Sequence, residues 1–452
     1  MNTPEPPPRA LPDDDPQRLA LHNEVHARPP ARIRLPALVV YVAVLNEGIT
    51  REAECAHLQR LPGQAGLMPA QLQHNFLRLR VGPCTVKWER HSEFTRYSIV
   101  QPLPAVAGLG ETQPDLISAL ALDATWLRET PGRTVAAIQL ALLHGDISDG
   151  PTALAQATRW LGGGSVVASR MGTGGTGTGG HPAEGHSVVV TDFRLQADGF
   201  ERMLVIAPEG TTDTRVGRIS QRLLEVETYR MMALRGMPVA KALGPMLAEA
   251  EAALADITAQ LEAKQVSEQQ LLDTLIALAA RVERANAQHM YRFSATQAYQ
   301  ALVAQRLTEL REKAIPGTQT LGEFMQRRLS PAMATVAATA QRLAALSQRI
   351  ERASALLRTR VDIAAEAQNQ ELLAKLTRGQ ELQLRLQSTV EGLSIAAISY
   401  YVISLVLYGG KAAKAAGAPL NPELVAGLMI PVVLWGVWRA TKRIHEKLHS
   451  GH

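Results

Sequence analysis

Short apolar runs give way to long helical periods along this chain. Residues 37–45 (ALVVYVAVL) are apolar and β-branched throughout and predict a buried strand. Residues 48–61 predict a helix that stops at Pro62-Gly63. Residues 76–80 alternate apolar and basic positions, as a half-buried strand does, and residues 85–90 and 94–100 continue the meander. Residues 134–143 are apolar and fit either a strand or a helix. Residues 188–193 and 200–206 predict two further strands. After Asp213 a helical period runs nearly unbroken to Val390, with turns or kinks expected at 236–238, 244–245 and 315–317, where Gly and Pro fall.

The last long helix is expected to start at Ser330-Pro331, a capping residue followed by Pro at the first helical position. Val336, Leu343, Leu346, Ile350, Ala353 and Leu357 recur at intervals of seven, three and four, which is a heptad seam and needs a facing helix. The seam blurs after Arg360 and returns as Leu372, Leu376, Leu382, Leu386 and Val390. Its partner is either another helix of the same chain or the same helix of a second copy.

Residues 392–410 are 19 residues without a charge, long enough as a helix to cross the roughly 30 Å hydrocarbon layer. Residues 424–438 add 15 uncharged residues after a short loop, with Trp435 and Trp438 at one end and a basic tail beyond. Together they predict a two-helix transmembrane hairpin. Lys411 and Lys414 lie in the loop, whereas Arg378, Arg385, Arg439, Lys442, Arg443 and Lys447 flank the other side, so both termini are expected in the cytoplasm. Ser394, Ala397, Tyr401, Ser404 and Tyr408 form a stripe of small and hydroxylated residues on the first span, suited to close helix contact or to a polar lumen.

The fold class expected is therefore an α+β N-terminal cytoplasmic domain, a long coiled-coil-like helical region and the membrane hairpin. Residues 1–20 read as a disordered Pro-rich tail and 21–210 as the α/β domain, with a Gly-rich insertion at 162–187. Residues 213–390 read as a helical stalk, 391–439 as the hairpin and 440–452 as a basic tail. The N-terminal residues lack the basic start and apolar run of a signal peptide. The stretch 162–180 holds nine glycines in 19 residues, but no GK[ST] ending or apolar helix follows, so it reads as a flexible insertion and not as a phosphate loop.

Composition narrows the function classes. Two cysteines exclude a disulfide framework or a four-cysteine zinc site. A net charge of +5 over 452 residues argues against a nucleic-acid partner. Cys55 and Cys84 lack a partner arrangement and read as buried thiols. Two clusters qualify as ligands of a divalent metal ion: His22 and His26, four apart around Glu24, and Glu89, His91 and Glu93, which share one face if their segment is a strand. In both, hydrogen bonding or a solvated face is the simpler explanation. No catalytic set emerges.

LHNEVHARPP (21–30), WERHSEFTRYS (88–98), TDFRLQADGFERMLV (191–205), GRISQRLLEVETYRMMAL (217–234) and TVEGLSIAAISYYV (389–402) resemble the bacterial membrane-anchored proteins catalogued as domain of unknown function 3422 (DUF3422). The resemblance covers nearly the whole chain. It implies a tethered protein of the proteobacterial inner membrane with no assigned activity. A looser architectural likeness is to CorA-type magnesium channels, but Tyr408-Gly409-Gly410-Lys411 stands where those carry Gly-Met-Asn. The leading expectation is a non-enzymatic protein, anchored in the lipid bilayer and self-associating as a homo-oligomer through its helices. Its cytoplasmic domain would bind a ligand or a protein partner. The alternatives are a CorA-like ion channel or transporter and a metal-dependent enzyme.

Overall fold

The first apolar run forms β1 (Ala37–Leu45), every position of which but the last is buried. Such a run suits a strand covered on both faces. It lies inside a nine-stranded sheet with β2 (Phe76–Val81), β3 (Cys84–Arg90), β4 (Phe94–Pro102), β5 (Arg133–His144), β6 (Val167–Met171), β7 (Ser187–Leu195), β8 (Glu201–Ala207) and β9 (Lys313–Ala314). The order is β2-β3-β4-β1-β5-β8-β7-β6-β9. β5 and β8 run parallel, and the other neighbours pair antiparallel. The computed structural model describes residues 15–18, 32–172, 187–263, 266–417, 419 and 421–449.

The two faces of the sheet differ in chemistry. Leu38, Val40, Val42 and Val44 of β1 join Trp88, Tyr97, Trp126 and Trp160 in the main apolar core, with α1 (Arg51–Gln59), α2 (Ala124–Arg128) and α3 (Gly150–Trp160) on that side. The alternate positions face α4 (Asp213–Leu234), where the buried Tyr41 hydroxyl meets Thr228 Oγ1 at 2.7 Å. The same period of two puts Lys87 and Glu89 of β3, and Arg96 and Ser98 of β4, on that second face. Charged groups are thus sealed between sheet and helix.

The helical region continues with α5 (Gly236–Ala263), α6 (Glu268–Leu310), α7 (Leu321–Arg328), α8 (Ser330–Ala415) and α9 (Pro422–His449). α4 and α5 join at Gly236, where a Cβ would stand 2.4 Å from Thr296 Oγ1, so no larger residue fits this junction. No turn interrupts the helix at Gly244-Pro245: Pro245 lies inside α5, between the buried Leu243 and Leu247. The turn at 315–317 is present. It follows β9, a strand too short for a sequence pattern to reveal.

Two compact units result: residues up to 262 with 274–351, and residues 263–273 with 352–452. The first therefore does not end where the helices begin. β9 completes the sheet from the far side of α6, and α4 packs on the sheet, so the expected boundary at 210–213 is replaced by one inside α8. In this unit Leu243, Leu247, Ala250 and Leu254 of α5, Leu275, Leu278 and Val282 of α6, and Val336, Leu343, Leu346 and Ile350 of α8 are buried at heptad spacing. Arg342–Glu251 (2.8 Å) and Arg281–Glu249 (3.6 Å) tie the three helices together. The first half of the seam closes within the chain. The Gly-rich insertion also needs correction, because Val167–Met171 within it is β6, paired with β7 and β9. Flanking glycines hid a buried strand.

In the second unit α8 continues without a break to Ala415, and α9 returns after a short turn. A Cβ at Gly410 would lie 3.3 Å from Pro422 Cβ, so the two helix ends meet closely. Both helices are long and apolar enough to cross a membrane, and only 6% of each apolar window is buried. Lys411 lies over the Tyr408 ring (5.9 Å), Arg439 over Trp435 (5.2 Å) and Lys442 over Trp438 (5.3 Å).

Candidate functional site

Beneath α4 the second face of the sheet carries a ladder of alternating charges. Lys87 Nζ lies 3.1 Å from Glu89 Oε2, which Arg96 Nε approaches at 2.5 Å. Arg96 Nη1 reaches Glu225 Oε1 on α4 at 3.3 Å. Arg306 on α6 binds the other Glu225 oxygen at 2.5 Å and Glu309 at 2.8 Å, and Arg222 reaches Glu309 at 3.1 Å. Glu89, Arg96 and Glu225 keep 1–5% of their side-chain surface exposed. Burial alone would push the Glu89 carboxyl up, but the Arg96 guanidinium and then Lys87 outweigh it and hold it at about 2. Breaking one partner of such a buried pair strands the other charge, at a cost of about 3–5 kcal/mol.

A cavity of about 70 Å³ opens beside this ladder, lined by Tyr41, Lys87, Glu89, Arg96, Ser98 and Gln221 among others. Glu89 Oε1 accepts no hydrogen bond from any described residue. The cavity therefore offers an acceptor at Glu89 and donors at Lys87 and Gln221, but its volume is well below that of a small-ligand pocket.

A second buried cluster joins Glu201 of β8 to Glu227 and Arg230 of α4. Arg230 Nε donates to Glu227 at 2.7 Å and its Nη2 to Glu201 at 3.1 Å. Burial, and then the neighbouring Glu227 carboxylate, raise the Glu201 carboxyl to about 8.

The metal trio does not assemble. β3 ends at Arg90 and β4 begins at Phe94, so the alternation that would align Glu89, His91 and Glu93 stops at a turn. Glu89 points into the ladder, His91 stacks on Phe94 with ring centres 4.5 Å apart, and Glu93 pairs with Arg292 of α6. His22 and His26 lie outside the described residues. Among the described residues no three His, Cys, Asp or Glu side chains are placed to hold a metal ion. Cys55 and Cys84 are buried free thiols, and burial raises both.

The hydroxylated stripe of α8 is mostly open. Tyr401 and Tyr408 are 67% and 69% exposed, Ser394 is exposed, and half-buried Ser404 donates to the Tyr400 carbonyl at 2.8 Å. The buried residue of that segment is Ser399, two positions from both Ala397 and Tyr401 and so off the face of the stripe.

Sequence reasoning singled out Glu89 but missed Arg96, Arg222, Glu225, Arg306 and Glu309. The available signal was a charged residue at an inward strand position, and an acidic pair, Glu225 and Glu227, inside an otherwise apolar stretch of helix.

The residues of the ladder and of the Glu201 cluster come largely from three of the strings quoted above, 88–98, 191–205 and 217–234. The family model described as "Protein of unknown function (DUF3422)" matches residues 13–448. The chain belongs to the DUF3422 family. No curated protein matches it, and no solved structure does. The likeness to CorA-type channels accordingly finds no support, whereas the DUF3422 assignment spans sheet, helices and apolar hairpin alike.

Proposed function

We propose that this DUF3422 protein is a non-enzymatic ligand- or partner-binding protein, tethered to the bacterial inner membrane by α8 and α9, with both termini in the cytoplasm. The carrying observation is the exposure of the apolar hairpin. Leu405 is 71% exposed, Leu428 76% and Trp435 59%. The apolar core helix of a soluble protein is covered by its own chain; these residues have no such cover among the described residues, and lipid is the solvent that suits them. The basic side chains over Tyr408, Trp435 and Trp438 support the reading, since aromatic rings and long cations mark the two ends of a span. A cavity of about 310 Å³ between α4 and the end of α6 supports ligand binding by the sheet domain.

Self-association belongs to the same reading. Leu372, Leu376, Leu382, Leu386 and Val390 are 55–68% exposed along α8, so the second half of the seam has no cover among the described residues. A second copy of α8 supplies a matching stripe.

A fluorescent reporter fused after His452 in the full-length chain tests the topology. The proposal predicts a reporter that folds and fluoresces inside the cell. A reporter active only in the periplasm overturns it.

A further inference from the structure

The charge ladder has an outer end, and that end is a second cavity. It measures about 310 Å³ and is lined by Arg215, Arg218, Arg222, Glu309, Arg311 and Gly172 among others. Arg215, Arg218 and Arg222 lie three and four residues apart, so they share one face of α4. Arg215 stands in the first turn of that helix, where the macrodipole is positive. The opposite wall is the turn that ends α6. There Arg311 has a positive φ of 48°, its N–H bonds the Thr308 carbonyl at 3.2 Å, and Gly172 N–H bonds the Leu310 carbonyl at 3.1 Å. The wall is therefore a fixed turn, tied to the end of β6.

The lining is electrostatically incomplete. The three α4 guanidinium groups, Arg215, Arg218 and Arg222, face one carboxylate in this lining. That carboxylate, Glu309, already divides its oxygens between Arg222 and Arg306. Arg215 and Arg218 have no carboxylate partner among the described residues. Clustering like charges is unfavourable unless an anion joins them. A carboxylate would bring two oxygens and one charge. A phosphoryl group brings three peripheral oxygens and up to two charges, and guanidinium forks match that geometry. The volume exceeds what bare phosphate needs and reaches the lower range of small-ligand pockets, about 300 Å³.

We propose that the cavity between α4 and the α6–β9 turn binds the phosphoryl group of a small organic phosphate, held by Arg215, Arg218, Arg222 and Arg311. The bound group competes with Glu309 for Arg222. It thereby touches the ladder that leads through Arg306 and Glu225 to Arg96 and Glu89. This inference rests on the reading of the sheet domain as a ligand-binding body and names the chemistry of the ligand. The same phosphoryl chemistry is available from a soluble ester or from a lipid headgroup, and the two are separable by experiment.

The test is isothermal titration of the full-length protein. One arm uses detergent micelles with pyrophosphate and glycerol 3-phosphate. The other uses neutral nanodiscs compared with nanodiscs containing phosphatidic acid, with pyrophosphate as the competitor. Saturable binding is expected, weakened by salt. Arg218→Ala should weaken it about tenfold, the scale of one lost charge-assisted contact, and the double variant Arg215→Ala/Arg218→Ala by more. Arg218→Lys keeps the charge but loses the fork, so it should fall between wild type and Arg218→Ala. Arg342→Ala, which removes a surface ion pair elsewhere, should bind as wild type does. Binding of glycerol 3-phosphate in the first arm assigns the site to soluble esters; binding seen only in the phosphatidic-acid nanodiscs, and relieved by pyrophosphate, assigns it to a headgroup. No heat in either arm, or affinity unchanged in the folded double variant, overturns the proposal. Only protein extracted from membranes with detergent enters the titration. Failure of the tether is therefore seen at extraction, and failure of the phosphoryl site is seen afterwards.

Discussion

Two buried glutamates show how one interface sets opposite proton affinities. Glu89 shares its cavity with Arg96 and Lys87 and is held down to about 2. Glu201 is buried beside Glu227, with one guanidinium serving both, and is raised to about 8. For Glu201 the folded state binds the proton more tightly than the unfolded chain does. Its contribution to stability is complete below the ordinary carboxyl value of 4.5 and is lost as pH rises toward 8. Glu89 contributes in the opposite sense: its stabilisation is present above 4.5 and is lost as pH falls toward 2. Glu201→Gln fixes the neutral form. Melting curves across this range should show wild type losing stability between pH 4.5 and about 8, and the variant losing less. Parallel curves for the two proteins would contradict the assignment. At this scale the sequence was informative about which residue mattered but not about why. Glu89 stood out because of its His and Glu neighbours, yet its partners are Lys87 and a β4 arginine, Arg96, which in turn binds an α4 glutamate 129 positions further along the chain. Distance in sequence hides such pairs, and nothing in residues 88–93 alone reveals that the alternation stops at Arg90.

The elements divide α8 into two regimes. From Val336 to Ile350 its seam positions, Val336, Leu343, Leu346 and Ile350, are 1–2% exposed. From Leu372 to Val390 the same kind of spacing is open. Leu346→Ala should therefore cost about 2–5 kcal/mol of folding stability, as a core truncation does. Leu376→Ala should leave the melting temperature of dilute protein unchanged and shift the size distribution in mild detergent toward smaller species. Measuring both quantities for both variants separates an internal seam from an intermolecular one; the same stability loss at both positions would contradict the division. The heptad was readable because a period of 3.5 is a local property of the sequence. Whether the facing helix belonged to the same chain was not readable, because that depends on where α5 and α6 fold back. β6 was missed for a related reason. Its five residues sit in a glycine-rich stretch whose composition resembles a linker, and only pairing with β7 and β9 makes them a strand. Pro245 shows the same limit: a helix held by buried Leu243 and Leu247 continues through a proline that would end an isolated helix.

In the whole molecule a sheet domain with two cavities shares one chain with an apolar hairpin that the described residues leave uncovered. The hairpin was the most legible feature of the sequence, since length and absence of charge are all that a span requires. The cavities were the least legible, because each is assembled from strands, a helix and a turn that meet only after folding. The tether is the claim on which the remaining functional arguments depend. Its most direct test is to break cells expressing the full-length protein, wash the membranes in alkaline carbonate and ask where the chain sediments. The full-length chain should stay in the washed pellet and leave only with detergent. Recovery of the full-length chain in the carbonate supernatant would contradict it.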